Sequence, residues 1–395
     1  MKILFVHEVS WHKKVSYEMH DFPELLSLRG HEVRFLDYDE GSPRTRFHTL
    51  TTVESRCHAG SRVSLTTPPK ILPGILGRLL ATVIHPIQFS LLVRQSRPDI
   101  VVLYSMPTSG WQIALIGRIL GIPVVARVID VPHALRRSSF RPLIRWSERI
   151  VFRNVSHVAT HNRTLQAYCI ENGADSARTS IIFPGVDTSR FFPDKTRTDL
   201  QVRLGINTSS KVIVFMGTLF RFCGLRELVT ELVDSLHADK QLTLLIIGDG
   251  EQFSSLSKMI EKHRLQRQVI LSGRVDYDEL SDYLRLGDVA VLPFHRELVT
   301  ECALPGKVLQ YISCGVPTIA TPLSGLVSAL EDGHGVVYAG SMRDMVSLLS
   351  ELLDDPTRRE RISECGLLQV KEKFNWSNQI QEFENLLTRI IQEAS

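Results

Sequence analysis

The stretch "ECALPGKVLQYISCGVPTIATPLSG", residues 301–325, places a cation where helix geometry does not favour one. Pro305 and Gly306 open a helix and Gly315 closes it, in the positions these residues prefer. Lys307 therefore falls in the first turn, against the positive end of the dipole. Free N–H groups at a helix start already attract an anion, and a lysine beside them concentrates that potential. The chemistry this suits is phosphate binding, although a solvated first-turn lysine has the same local pattern. Gln310 lies one turn on, about 4.5 Å along the axis and on the same face, where it could meet a hydroxyl-bearing ring. A second candidate cradle is "FMGTLFRFCGLRELV": Gly217 and Thr218 open a loop after an apolar run, Gly224 leads into a helix, and Arg221 sits between. An arginine can hold two phosphate oxygens at once. Taken singly, each glycine loop is equally an ordinary strand-to-helix turn.

The elements that must position these residues alternate along the chain. "KILFVH", "EVRFL", "RPDIVVLY", "GIPVVARVI" and "VSHVATH" are short β-branched runs separated by helical segments. After a break near "FPGVDTSRFFPDKTRTDLQVRLGI" the rhythm resumes with "KVIVFMG", "LTLLIIGDG", "QVILSGRV", "VAVLPF", "VPTIAT" and "GVVYA". Strands alternating with helices indicate parallel βαβ units. The fold class expected is α/β, with two doubly wound Rossmann-like domains facing each other across a cleft. The expected division is 1–190, 191–373 and a C-terminal helix 374–395 returning to the first domain, with a linker around 188–200. That helix carries Ile380, Phe383, Leu386, Leu387 and Ile390 on one stripe. In open α/β sheets ligands bind beyond the C-terminal strand ends, at the topological switch points.

Composition bounds the class. The 395 residues exceed one ordinary core, and 43% hydrophobic with 23% charged residues is globular. A net charge of +3 does not by itself call for nucleic acid. Six cysteines without a C-x-x-C spacing argue against structural zinc and for a reducing compartment. The start lacks a signal-peptide apolar region, so a cytoplasmic location is expected. The apolar stretch 71–95 is interrupted by Arg78, His85 and Pro86, which argues against a spanning helix and leaves an interfacial segment or a greasy helix under an acceptor open.

In combination, "FPGVDTSRFFP", "GTLFRFCGL", "LLIIGDGEQFSSL", "VILSGRVDYDELSDYLRLGDVAVLPF" and "ALPGKVLQYISCGVPTIAT" resemble the retaining nucleotide-sugar glycosyltransferases of the GT-B fold, the group 1 or family-four class. The resemblance covers nearly the whole C-terminal half and is looser before it. It implies that Arg221 and Lys307 hold a donor diphosphate, aided by amides around Gly306 and Val308 and by the loop at Gly217 and Thr218. Arg274 and Val275 correspond to backbone contacts with the base, and Gln310 to the ribose position. The family's ribose glutamate is here Gln310, its usual loop lysine is Cys223, and its first glutamate would fall at Cys302, with Glu301 one residue away. In the N-terminal half, Asp130 and His133 of "VIDVPH" correspond to a strand end that touches the transferred sugar. The implied catalytic set is thus Asp130, Glu301 and His133.

On the acceptor side, Arg137, Arg141, Arg145, Arg149 and Arg153 recur every fourth residue, with Pro142 marking the start of the helix. A basic amphipathic helix attracts anionic head groups; a solvated helix paired with Glu148 is the alternative. His7, His12 and Lys13 of "HEVSWHKK" could meet an acceptor or form a plain polar loop. The activity the resemblance implies is transfer of a hexosyl or N-acetylhexosaminyl unit from a nucleotide sugar to a saccharide or lipid-linked acceptor in glycan, polysaccharide or glycolipid assembly. No metal, cofactor or nucleic acid is expected. A peripheral position at the cytoplasmic face of a membrane is open, as are a non-catalytic relative that binds nucleotide or partners and a nucleotide-sugar epimerase.

Overall fold

The structure is a computed structural model that describes residues 1–13, 16–37, 48–50, 52–68, 74–104, 108–135, 140–194 and 199–394. The chain forms two compact units: Met1–Phe183 with Ser377–Ser395, and Pro184–Trp376.

The first unit is built on β1 (Lys2–Val6), β2 (Glu32–Leu36), β3 (His48–Leu50), β4 (Val63–Thr67), β5 (Ile100–Tyr104), β6 (Val124–Val128), β7 (His157–Thr160) and β8 (Thr179–Ile181). Their order in the sheet is β3-β4-β2-β1-β5-β6-β7-β8, and every pairing is parallel except β3 with β4. Strands β5, β6 and β7 are buried at every position, as expected of β-branched runs covered by helices on both faces. The chain turns from β1 to β2 on one side and later to β5 on the other, so the switch point lies between β1 and β5.

Five helices matter for the site: α1 (Glu18–Leu28), α2 (Gly74–Ser96), α3 (Gly110–Ile119), α4 (Pro132–Leu135) and α5 (Arg141–Asn154). Pro86 lies inside α2 without ending it. Among the described residues no helix is long and apolar enough to cross a membrane. One polar group pins the core: fully buried Arg127 on β6 makes two hydrogen bonds, of 2.7 and 2.8 Å, to the Glu18 carboxylate. It also donates to the Thr160 and Ile182 carbonyls. The C-terminal helix Trp376–Ala394 buries Ile380, Phe383, Leu386, Leu387 and Ile390. Phe383 meets Phe22 of α1 with ring centroids 4.6 Å apart, and Glu384 accepts from Arg29 and His31.

The second unit holds β9 (Lys211–Met216), β10 (Leu242–Ile247), β11 (Val269–Gly273), β12 (Val289–Leu292), β13 (Thr318–Ala320) and β14 (Val336–Tyr338), all parallel, in the order β11-β10-β9-β12-β13-β14. Its switch point lies between β9 and β12, where Ile213 and Val214 pair with Val289 and Ala290.

Candidate active site

In the second unit the Gly306–Ser313 helix delivers Lys307 to that switch point. Its Nζ lies 4.8 Å from the ring centroid of Phe215 on β9 and 5.0 Å from that of Phe294 just past β12. The two aromatic faces hold the ammonium by cation–π attraction. The Gly217 backbone closes the third side: a Cβ there would stand 2.2 Å from Nζ. Gly217 also has φ +137°, outside the range side-chain residues favour, so glycine is required twice over. Burial pushes the Lys307 amine below its ordinary pKa, with the neighbouring Cys223 pulling the other way. Among the described residues no carboxylate pairs with it.

Cys223 occupies the loop position where the resemblance would put a lysine. Burial raises its thiol and the nearby Lys307 charge lowers it, which places Lys307 close to that position. Tyr311 supports the arrangement: its hydroxyl accepts from the Met216 amide at 2.6 Å and donates to the Met216 carbonyl at 3.3 Å, tying the helix to the end of β9. Gly224 turns the loop into the following helix at φ +65°, and a Cβ there would clash with the Pro293 carbonyl at 1.9 Å.

The remaining donor-side residues surround this point unevenly. A Cβ on exposed Gly306 would meet nothing within 4 Å, so the helix start opens on free space. Val308 is buried behind it. Thr218 and Arg221 are exposed, and the Arg221 amide donates to Glu251 at 2.6 Å. Gln310 is half-buried one turn beyond Lys307. Arg274 is exposed and Val275 half-buried after β11. Glu301 is engaged: its carboxylate accepts from Arg296 on one oxygen and from the Ser324 amide (2.8 Å) and hydroxyl (2.7 Å) on the other. Partial burial pushes its pKa up, but these donors outweigh that and hold it below the usual carboxylate range.

In the first unit the strand ends at the switch point carry a second polar cluster. His7, after β1, stacks on Tyr104 of β5 with centroids 5.1 Å apart and hydrogen-bonds the Tyr17 hydroxyl at 2.8 Å. Asp130 follows β6, with Oδ1 buried and no hydrogen-bond partner among the described residues. Burial first, then the Glu148 and Glu18 charges, push its carboxyl up to about 7. His133 on α4 is fixed by α5: Glu148 accepts from its amide (3.1 Å) and pairs with Nδ1 (2.8 Å), and also accepts from the Tyr168 hydroxyl (2.9 Å). This corrects one sequence alternative. Glu148 is not a surface partner of the arginine stripe; it is buried and turned toward His133. Arg137 lies outside the described residues, while Arg141, Arg145, Arg149 and Arg153 are exposed. His12 and Lys13 are exposed and His7 is buried.

Sequence reasoning missed Phe215, Phe294, Tyr17 and Glu18, and the contact of Glu148 with His133. Each reads locally as core, cap or surface, and its role appears only when distant segments meet.

Two Rossmann-like α/β units in one chain are the architecture of the GT-B class. Solved structures agree in fold. Sucrose-phosphate synthase from Thermosynechococcus elongatus matches with a TM-score of 0.79 at 16% identity, over 100% of both chains. The Anabaena protein HepE, solved in complex with UDP, matches with a TM-score of 0.74 at 16% identity, over 98% of this chain and 100% of that one. The family model described as glycosyl transferases group 1 matches residues 196–367, and that of the glycosyl transferase 4-like domain matches 19–185. Each of these two matches spans less than half of the chain. Among curated relatives, it is 29% identical over 211 residues to a GDP-mannose-dependent monoacylated α-(1-6)-phosphatidylinositol monomannoside mannosyltransferase of Corynebacterium glutamicum, covering 51% of this chain and 54% of that protein. It is 28% identical over 216 residues to a D-inositol 3-phosphate glycosyltransferase of Catenulispora acidiphila, covering 52% and 49%. The chain thus spans about half the length of these curated relatives.

Proposed function

We propose that the protein transfers a hexosyl or N-acetylhexosaminyl unit from a nucleoside diphosphate sugar to an acceptor hydroxyl with retention of configuration. The observation that carries this reading is Lys307, a desolvated cation without a carboxylate partner, held by Phe215, Phe294 and Gly217 beside an open helix start. Such a cation is stabilised by an arriving dianionic diphosphate, and the Gly306 and Val308 amides add donors to the same anion. Arg221, exposed on the neighbouring loop, supplies a second charge.

Chemistry then follows from leaving-group stabilisation. As the bond between the anomeric carbon and the diphosphate oxygen breaks, negative charge grows on the diphosphate, where Lys307, Arg221 and the helix start meet it. The acceptor oxygen bonds to the anomeric carbon on the same face, and its proton passes to the departing phosphate oxygen. No covalent enzyme intermediate is involved. Asp130 and His133 contact the transferred sugar, Arg274 and Val275 the base, and Gln310 the ribose through its carbonyl oxygen. Glu301 reaches the sugar by exchanging its Ser324 contact. The acceptor is a saccharide or a lipid-linked molecule; the relatives named for phosphatidylinositol mannoside and inositol phosphate acceptors support a phosphate-bearing acceptor.

A second reading has its own observations: the engaged Glu301, the uncharged Gln310 and Cys223 suit a non-catalytic relative that binds nucleotide alone. Incubation with UDP-, GDP- and ADP-sugars and a panel of acceptors separates the two. Released nucleoside diphosphate with an α-linked product from an α-linked donor, lost in Lys307→Ala, supports transfer. Tight donor binding without turnover on any acceptor supports the second reading.

A further inference from the structure

The helices α2, α3 and α5 form one neighbouring set on the first unit. The Gln112 side chain donates to the Thr82 carbonyl at 2.7 Å, and Trp111 meets Trp146 edge to face with centroids 5.3 Å apart. These contacts set α2, α3 and α5 side by side in that order. Their outward residues depart from an ordinary solvated surface in two independent ways.

The first is apolar exposure. Val83, Ile87 and Leu91 recur every fourth residue along α2 and are 64%, 58% and 56% exposed, with no charged residue from 81 to 93. Ile119 of α3 and Leu143 and Trp146 of α5 add to them. Single exposed aliphatics are unremarkable, but Val83, Ile87 and Leu91 share one stripe of α2, and such a stripe marks a contact surface.

The second is charge. From residue 55 to 147 the sequence holds twelve lysines and arginines, of which Arg127 is buried on Glu18, against two acids, Asp99 and Asp130, although the whole chain is only +3. Asp99 accepts from the Lys2 amide, and Asp130 is the site carboxyl described above. Across α2, α3 and α5 the one acid is Glu148, buried on His133 and Tyr168. Exposed Arg94, Arg145 and Arg149 have no carboxylate partner among the described residues.

We propose that this face docks on the surface of an anionic lipid bilayer. Aliphatic side chains enter the head-group boundary, tryptophans suit the interface, and arginines meet lipid phosphates. A second copy seated on the same face would set arginine against arginine with no acid between them. A nucleic acid would use the arginines and leave the α2 aliphatics without a role. The proposal deepens the lipid-linked-acceptor reading by naming where the membrane lies, yet it stands on the surface alone and survives loss of sugar transfer.

Flotation of the full chain tests it, using vesicles of phosphatidylcholine alone and of equimolar phosphatidylcholine and phosphatidylglycerol. The proposal expects binding to the mixed vesicles only. Arg145→Glu with Arg149→Glu should weaken it by at least about tenfold, since each basic residue near such a surface is worth about 1 kcal/mol. Ile87→Ser with Leu91→Ser should weaken it at unchanged charge. Circular dichroism checks that the variants fold, and Arg145→Gln with Arg149→Gln replaces the glutamate pair if that pair does not. No preference for anionic vesicles, or binding indifferent to both folded pairs, overturns the proposal. So does self-association, or capture of a nucleic acid homopolymer, in place of vesicle binding.

Discussion

Lys307 Nζ rests against the Cα face of Gly217, so closely that a single methyl on the glycine would stand 2.2 Å from it. A lysine from the first turn of the Gly306–Ser313 helix and a glycine just past the end of β9 thereby form one feature. Gly217→Ala should expel the ammonium while leaving the lysine in the chain, and strain the φ +137° backbone by roughly 1–3 kcal/mol. Nucleotide affinity should fall at least about tenfold in titration calorimetry; unchanged affinity would show that the position of Lys307, as distinct from its presence, is unimportant.

Asp130 gives a pH signature. Its folded pKa, about 7, stands above the ordinary 3.8, so the folded protein holds a proton that the unfolded chain releases. That contribution is complete below pH about 4 and is lost as pH rises towards about 7, making the folded state less stable there. Asp130→Asn should leave stability near pH 4 unchanged and raise it at pH 8, by at most about 4 kcal/mol. Denaturant melts of both proteins across that range check the sign. Parallel curves would show that the carboxyl is not raised.

Buried Arg127 and Glu18 form a pair whose halves depend on each other. Arg127→Met alone strands the Glu18 carboxylate and should cost about 3–5 kcal/mol, whereas Arg127→Met with Glu18→Gln should recover part of that. Urea unfolding of the two single variants and the double variant measures the coupling. Strict additivity would remove the pair from the account of the core.

Glu148 links α5 to His133, and Tyr168 shares its oxygen. Glu148→Ala should release the His133 ring and lower kcat while leaving nucleoside diphosphate affinity unchanged, because the residues proposed for the diphosphate and base lie in the other unit. Expressed as stability, losing the acceptor of these buried donors should cost about 1–3 kcal/mol. A fall in nucleoside diphosphate affinity would contradict this division of labour.

Much of this architecture is legible in the sequence, because parallel strands buried on both faces read as unbroken β-branched runs and glycine marks the ends of β9, β10 and β11. The first-turn position of Lys307 is equally local, set by Pro305 and Gly306. What encloses the lysine is not local. Phe215 and Phe294 come from strands that pair only in the folded sheet, and each reads alone as ordinary core. Glu148 sits among arginines in sequence, so charge pairing suggests a surface role; burial of one helix face decides otherwise. The exposed stripe on α2 is likewise invisible to a hydropathy pattern, which finds the helix apolar without saying which side is covered.

The most direct test of the central claim is calorimetric titration of UDP, GDP and ADP into the wild-type protein and into Lys307→Ala. The account predicts that one nucleoside diphosphate binds and that the variant, still folded because it has lost a desolvated charge, binds it at least about a hundredfold more weakly. Equal binding by the two proteins, or none by the wild type, would contradict the assignment of Lys307 to a donor diphosphate.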